Sequence, residues 1–104
     1  MSANMLVQPP QVSQATVETV PWEFDFTAVV GSGDVVSSPA STMTDMQTGS
    51  QVTLAQAPTV SGNLVTQVVP GSGLVAGHNY RLVVVAQLNP SKVLSLPLIV
   101  TVPY

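Results

Sequence analysis

Apolar and polar side chains alternate one by one along several stretches of the chain, which is the pattern of half-buried β-strands. The clearest stretch is residues 22–28, where Trp22, Phe24 and Phe26 alternate with charged or polar residues. This stretch contains the only tryptophan and both phenylalanines of the chain, so we expect it to supply the bulkiest part of the core.

Further strands are expected at short spacing between turn signals, which is typical of a β-sandwich. The candidates are residues 15–20, 35–43 with an extension towards Met46, 51–57, 63–69, 80–88 and 93–102. Pro21, Pro39 and Pro97 predict an edge, a break or a bulge, because proline cannot donate to a strand ladder. A helix is not expected, since proline or glycine interrupts almost every window.

The segment from Leu74 through Gly77 to Tyr80 resembles a tyrosine corner, in which a tyrosine opening a strand bonds upstream backbone through its hydroxyl. From Tyr80 onward, we expect Leu82, Val84 and Ala86 to face Trp22, Phe24 and Phe26. The opposite side of the same strand carries Arg81, Val83, Val85 and Gln87. Because this side has few polar groups, it indicates a central strand or a face covered by a partner, and we interpret it as a candidate subunit contact.

Residues 1–14 include Pro9 and Pro10 and have no strong periodicity, so we interpret them as an extended N-terminal arm. A partner subunit would order such an arm, and Pro9 and Pro10 are candidate contacts; a frayed terminus is the alternative. Residues 15–104 are then expected to form a single domain, since a chain of 104 residues can bury one modest core.

The surface is unusually poor in charge, because only 7% of the residues are charged against about 25% in an average soluble protein. The net charge is -3, and Arg81 and Lys92 are the only basic residues, so binding to nucleic acid is not expected. The absence of cysteine removes disulfides and thiolate chemistry and fits assembly in a reducing cytosol. Neither a signal peptide nor a membrane span is expected from the apolar runs.

Candidate chemistry is sparse. His78 is the only histidine, so a Ser-His-Asp arrangement would need it together with Asp25, Asp34 or Asp45; we interpret it instead as an exposed turn residue. The glycine pairs at Gly31 and Gly71 lack the lysine and the helix of a phosphate loop. We therefore predict no catalytic, cofactor-binding or metal-binding residues.

Glu23 and Asp25 are expected on one face of their strand, about 7 Å apart. Solvated surface is the simpler interpretation of this pair, and a polar contact row for a neighbouring subunit is the alternative.

Four segments together resemble a family of small bacteriophage virion proteins encoded among head and tail morphogenesis genes. They are the acidic-aromatic stretch 22–27, the stretch 33–38, the corner at Gly77–Tyr80 and the closing strand 94–102. The resemblance covers residues 17–102 and implies a single immunoglobulin-like Greek-key sandwich of about seven strands. The chain departs from the family pattern at residues 12–16 and 91–95, which affects the docking partner more than the fold.

The resemblance implies a non-enzymatic structural protein of the virion, made and assembled in the host cytoplasm. A capsid decoration or cement protein is the first expectation, and a neck, tail or fibre-attachment accessory is the alternative. A β-sandwich module for adhesion or carbohydrate binding is a second alternative. The implied partners are other virion proteins and further copies of the chain, with neither nucleic acid nor membrane as a partner.

Overall fold

The computed structural model describes residues 10–104, which form two packed β-sheets connected by turns. The strands are β1 (Gln11–Ser13), β2 (Thr19–Asp25), β3 (Ser37–Asp45), β4 (Gln51–Val52), β5 (Thr59–Ser61), β6 (Leu64–Pro70), β7 (Asn79–Asn89) and β8 (Lys92–Thr101). Two single-turn 3-10 helices span Thr27–Val29 and Gly71–Gly73. The predicted all-β fold is confirmed, with eight strands in the described residues where about seven were expected.

The larger sheet has the order β1-β8-β7-β3-β4, and the smaller sheet has the order β2-β6-β5. The pair β1–β8 is parallel, whereas all the other neighbouring strands are antiparallel. Hairpins join β3 to β4, β5 to β6 and β7 to β8. The chain crosses between the sheets from β1 to β2, from β2 to β3, from β4 to β5 and from β6 to β7. These crossings place the two sheets face to face, and the inward side chains of both form the core.

The core is formed by alternate residues of the long strands. In β7, every second residue from Tyr80 to Leu88 is buried, and β6 buries Val65, Gln67 and Val69 in the same way. As predicted, Leu82, Val84 and Ala86 belong to one buried cluster with Phe24 and Phe26. Trp22 is only half-buried and packs against the cluster from its margin.

The tyrosine corner forms as the sequence predicts. The Tyr80 hydroxyl accepts a hydrogen bond of 2.8 Å from the backbone N–H of Val75, while the ring is 1% exposed. Leu74 is buried ahead of the corner. Gly77 has a φ of 85°, and a β carbon there would lie 2.6 Å from the ring of Tyr104, so glycine is required for both its φ and its lack of a side chain.

Three predicted strand boundaries are wrong, and all three errors occur where the chain changes sheets. Residues 15–18 turn instead of extending, with the N–H of Glu18 donating to the carbonyl of Ala15, because β1 and β2 lie in different sheets. The strand expected over 22–28 ends at Asp25, whose carboxylate accepts the Thr27 N–H and starts a 3-10 turn. Of the strand expected over 51–57, only Gln51–Val52 pairs before the chain leaves for the smaller sheet.

Prolines in the strands occupy positions where a missing N–H costs little. The N–H of Phe26 donates to the carbonyl of Asn63, and the N–H of Gly71 donates to that of Glu18, so the even-numbered residues of β2 are the ones that bond to β6. Pro21 is odd-numbered, and its nitrogen therefore points away from β6, at the free edge of β2. The nitrogen of Pro97 likewise points away from β7. Ile99, two residues further along β8, shows this direction, because its N–H donates to the carbonyl of Pro10 on the side opposite β7. Pro39 lies in a bulge of β3, next to Ser38 with its positive φ of 49°. The predicted edge and break positions are thus observed.

The described part of the expected N-terminal arm belongs to the larger sheet. Gln11–Ser13 pairs with Ile99, Val100 and Thr101 of β8, and the side chain of Gln14 is fully buried. Pro10 is exposed beside this pairing, and Pro9 lies outside the described residues.

Candidate interaction surfaces

The outer side of the larger sheet carries a weakly polar surface that we call the valine face: Ala40, Thr42, Arg81, Val83, Val85 and Pro97. Val83 and Val85 lie on the central strand β7, with Thr42 and Ala40 as their β3 partners and Pro97 as the β8 partner of Val83. Both valines point away from the core and are half-buried. The expected outward direction of Arg81, Val83 and Val85 is therefore observed, and their role as contacts stays a prediction.

Arg81 is the single charged side chain of the valine face among the described residues. It is exposed at the β7 end that pairs with Thr44 and Ile99. Its guanidinium forms neither a hydrogen bond nor an ion pair within residues 10–104. Among the described residues, its N–H donors are therefore all without an acceptor.

The outer side of the smaller sheet carries the opposite sign of charge, and we call it the acidic face: Pro21, Glu23, Asp25, Leu64, Thr66 and Val68. Glu23 pairs with Thr66 across the β2–β6 ladder, and Asp25 pairs with Leu64. Both acidic side chains are exposed, as expected from the alternation of β2. The hydrogen bonds from the hydroxyl and the N–H of Thr27 hold the pKa of the Asp25 carboxyl below its usual range, whereas the Glu23 carboxylate has no partner within the described part of the chain.

The predicted contact residues therefore do not form one patch. Glu23 and Asp25 lie on one outer side of the sandwich, while Arg81, Val83 and Val85 lie on the other, because β2 and β7 belong to different sheets. Pro10 lies at a third place, the β1 edge of the larger sheet, where its carbonyl accepts from the N–H of Ile99. A partner that contacts all of these residues at once would have to surround the domain.

His78 is not the exposed turn residue that the sequence predicts. It is half-buried, and its Nδ1 lies 2.7 Å from Oδ2 of Asp45, which is buried at the end of β3. This hydrogen bond, together with those from the N–H groups of Gln47 and Thr48, lowers the pKa of the Asp45 carboxyl, and burial opposes the shift. Since a carboxylate only accepts, His78 Nδ1 carries the hydrogen. The pair thereby links the turn after β3 to the corner before β7.

The geometry of this pair is the orienting half of a Ser-His-Asp arrangement. Within residues 10–104, however, His78 Nε2 has no serine hydroxyl hydrogen-bonded to it. The Asp45 carboxylate also holds the turn at Gln47 and Thr48, so the described contacts give the pair a structural role.

A second ionic cluster joins distant loops around Asp34. Lys92 Nζ lies 3.2 Å from Asp34 Oδ2 and donates to the carbonyl of Val29 over 2.8 Å. The amide of Asn89 donates to Asp34 Oδ1 over 2.9 Å. Hydrogen bonds from Asn89, the Gly31 N–H and Lys92 lower the pKa of the Asp34 carboxyl.

A shallow open groove of about 350 Å³ lies beside this cluster, lined by Gly33, Val35, Ser37, Gln87, Leu88, Asn89 and Pro90. Sequence reasoning missed the cluster, because Asp34 and Lys92 are 58 residues apart. The sequence shows turn residues around both Asp34 and Asn89, but no local signal indicates that the two turns contact each other.

Sequence reasoning also missed Gln14, which is 0% exposed. Its amide donates to the carbonyl of Val69 over 2.6 Å, and its Oε1 accepts the indole N–H of Trp22 over 2.8 Å. The half-buried position of Trp22 follows from this bond, because the indole nitrogen must reach a polar partner.

The described residues hold no group of three or more histidine and acidic side chains placed to bind a metal ion. Residues 10–104 also contain no helix with the length and apolar character needed to cross a bilayer. A comparison with models of known protein families and with curated protein sequences finds no match to this chain.

Proposed function

We propose that the chain is a non-enzymatic structural component of a bacteriophage virion, and that it decorates the capsid surface in many copies. The observation that carries the proposal is the valine face: the central strand β7, of 11 residues, turns Val83 and Val85 outward beside one charged residue. A face of this composition gains free energy when another protein surface covers it. The low overall charge, 7% of the residues, fits such close association.

We further propose that the sandwich is immunoglobulin-like. The order β2-β6-β5 corresponds to strands B, E and D of that fold, and β8-β7-β3 corresponds to strands G, F and C. Tyr80 then lies at the start of strand F, where a tyrosine corner is expected. This correspondence supports the resemblance on which the assignment to virion proteins rests.

Many copies are part of the proposal because each outer face is small. From a strand spacing of about 4.8 Å and a rise of about 3.4 Å per residue, three strands offer roughly 400 Å². A stable pairwise interface uses about 800 Å² per partner. Such faces therefore suit an assembly in which several weak contacts act together.

Purified virions of the phage that encodes the chain test the proposal. Quantitative mass spectrometry is expected to find the chain in many copies per particle, and cryo-electron microscopy is expected to place it on the capsid. Density at the neck, the tail or a fibre would replace decoration by the accessory role. A chain that is missing from virions overturns the proposal, and a glycan array would then test the adhesion alternative.

The valine face itself is tested with recombinant chain added to particles that lack it. Val83→Lys is expected to reduce binding strongly, because it places a charge in the contact while the β7 core positions remain unchanged. Ser72→Lys adds the same charge at an exposed turn and is expected to bind like the wild type. Equal binding by both variants would show that the valine face is not the contact.

A further inference from the structure

We propose that copies of this chain associate head to tail, with the valine face of one copy on the acidic face of the next. The inference rests on the proposed multi-copy assembly and names its partner: a second copy of the same chain. The two surfaces lie on opposite outer sides of the sandwich. A contact between them therefore leaves one face of each kind free at the ends and can repeat.

Most charged groups of the described residues already have a partner within one copy. The chain has two basic and five acidic residues, and within residues 10–104 all but two have a hydrogen-bond or ionic partner. Lys92 bonds Asp34, Asp45 bonds His78, Asp25 bonds Thr27, and Glu18 accepts the N–H of Ala15. The two that remain are Glu23 and Arg81, which have opposite signs.

These two charges lie on opposite outer sides of the sandwich. Arg81 lies on the valine face and Glu23 on the acidic face, so they cannot reach each other within one copy. Across a contact between two copies, the guanidinium would bind the Glu23 carboxylate, with the exposed Asp25 carboxylate on the same face. A bidentate pair between arginine and a carboxylate also fixes the orientation of the two surfaces.

Both surfaces also carry apolar side chains. On one face, Val83 and Val85 follow Arg81 along β7, and Pro97 pairs with Val83. On the other face, Leu64 and Val68 flank Thr66, the partner of Glu23. Each face thus offers one charge beside apolar groups. A contact between two valine faces would instead offer Arg81 no carboxylate, since Arg81 is the single charged side chain of that face, and this favours the head-to-tail contact over a symmetric dimer.

Charge reversal tests the inference in the full chain by sedimentation equilibrium, up to millimolar concentration because one contact is small. Arg81→Glu alone and Glu23→Arg alone are each expected to weaken self-association at least about fivefold, since an exposed pair contributes up to about that factor and reversal adds repulsion. A mixture of the two variants is expected to associate as the wild type does, because every contact between unlike variants pairs opposite charges. The double variant is expected to regain association by itself.

The matched control is Ser32→Glu with Thr53→Glu, which changes the net charge by as much as Arg81→Glu does, at exposed loop positions. It is expected to associate like the wild type, and thermal unfolding of every variant checks that the fold is retained. A wild-type chain that stays monomeric overturns the inference. A mixture that associates no more strongly than either variant alone also overturns it. Improved association of Arg81→Glu with wild type alone would point to a symmetric contact and also overturn it.

Self-association of the chain and its presence in virions can be measured independently. A chain that binds particles but does not self-associate overturns only the head-to-tail contact. Conversely, a chain that self-associates as described but is missing from virions overturns the virion role and leaves the contact between copies standing.

Discussion

Burial of Tyr80 raises the pKa of its phenol, because the ionised form would lose hydration, and the nearby Asp45 carboxylate acts in the same direction. The side chain therefore remains a neutral hydroxyl at ordinary pH. In that form it accepts the Val75 N–H and closes the corner between the 3-10 turn and β7. One hydroxyl thus ties a loop to the most buried strand of the core.

Tyr80→Phe keeps the ring in the core but leaves the Val75 N–H without its acceptor. We expect a loss of about 1–2 kcal/mol in the free energy of unfolding, measured by urea denaturation. Tyr104→Phe removes a hydroxyl from an exposed ring and should change stability by less than about 0.5 kcal/mol. Equal stability of the two variants would rule out the corner bond as a significant contribution.

Acid stability should depend on Asp45. The pKa of its carboxyl is lowered from 3.8 in the folded chain, so its contribution is present above the unfolded value and is lost as the pH falls through the folded value. Denaturation between pH 6 and pH 2 is expected to show stability falling below about pH 4. Asp45→Asn should fall less steeply, since one titrating group is removed; Asp34 and Asp25, whose pKa values are also lowered, account for the rest. An identical pH dependence for Asp45→Asn and the wild type would contradict this assignment.

At the scale of elements, the connection from β1 to β2 is held by contacts of its backbone with the turn after β6. The N–H of Gly71 donates to the carbonyl of Glu18 over 2.7 Å. A β carbon at Gly71 would lie 2.5 Å from the carbonyl oxygen of Ala15 and 2.6 Å from those of Thr16 and Glu18. The two backbones approach so closely that only glycine fits.

Gly71→Ala should therefore push the β1–β2 connection away from β6 and destabilise the fold by about 2–3 kcal/mol. Gly73→Ala is the matched control in the same 3-10 turn, since its β carbon would meet no atom closer than 3.9 Å. Thermal unfolding of both variants gives the comparison. A Gly71→Ala protein as stable as the Gly73→Ala protein would mean that the connection moves without cost.

At the scale of the whole molecule, the folding unit begins before residue 15. β1 covers the end of β8, and Gln14 joins that edge of the larger sheet to Val69 and Trp22 of the smaller one. Because the bond to Val69 is buried and the bond to Trp22 is partly buried, their loss leaves polar groups of both sheets without partners.

A chain that starts at Ala15 is accordingly expected to be less stable than one that starts at Pro10, by about 3 kcal/mol or more, since several buried hydrogen bonds are lost together. Guanidinium denaturation of both shortened chains measures the difference, and both lack residues 1–9, so the comparison isolates 10–14. Gln14→Ala in the full chain should show much of the same loss, whereas Gln11→Ala, at an exposed position of β1, should not. Equal stability of the two shortened chains would place the boundary at Ala15.

What the sequence determined by itself was local. Alternation of period two placed β2, β6, β7 and β8 and chose their buried faces, because successive side chains of a strand point to opposite sides. Glycine and proline marked the turns, the bulge and the two free edges, and Leu74, Gly77 and Tyr80 marked the corner. All of these signals lie within about ten residues of the feature that they predict.

Only the tertiary structure decided which distant residues meet. Asp45 is hydrogen-bonded to His78, 33 residues away in the sequence, Gln14 to Val69, 55 residues away, and Asp34 to Lys92, 58 residues away. The pairing of strands into two sheets also decided that Glu23 and Arg81 lie on opposite sides of the sandwich. The physical reason is that alternation fixes the faces of one strand but carries no information on which strand is its neighbour.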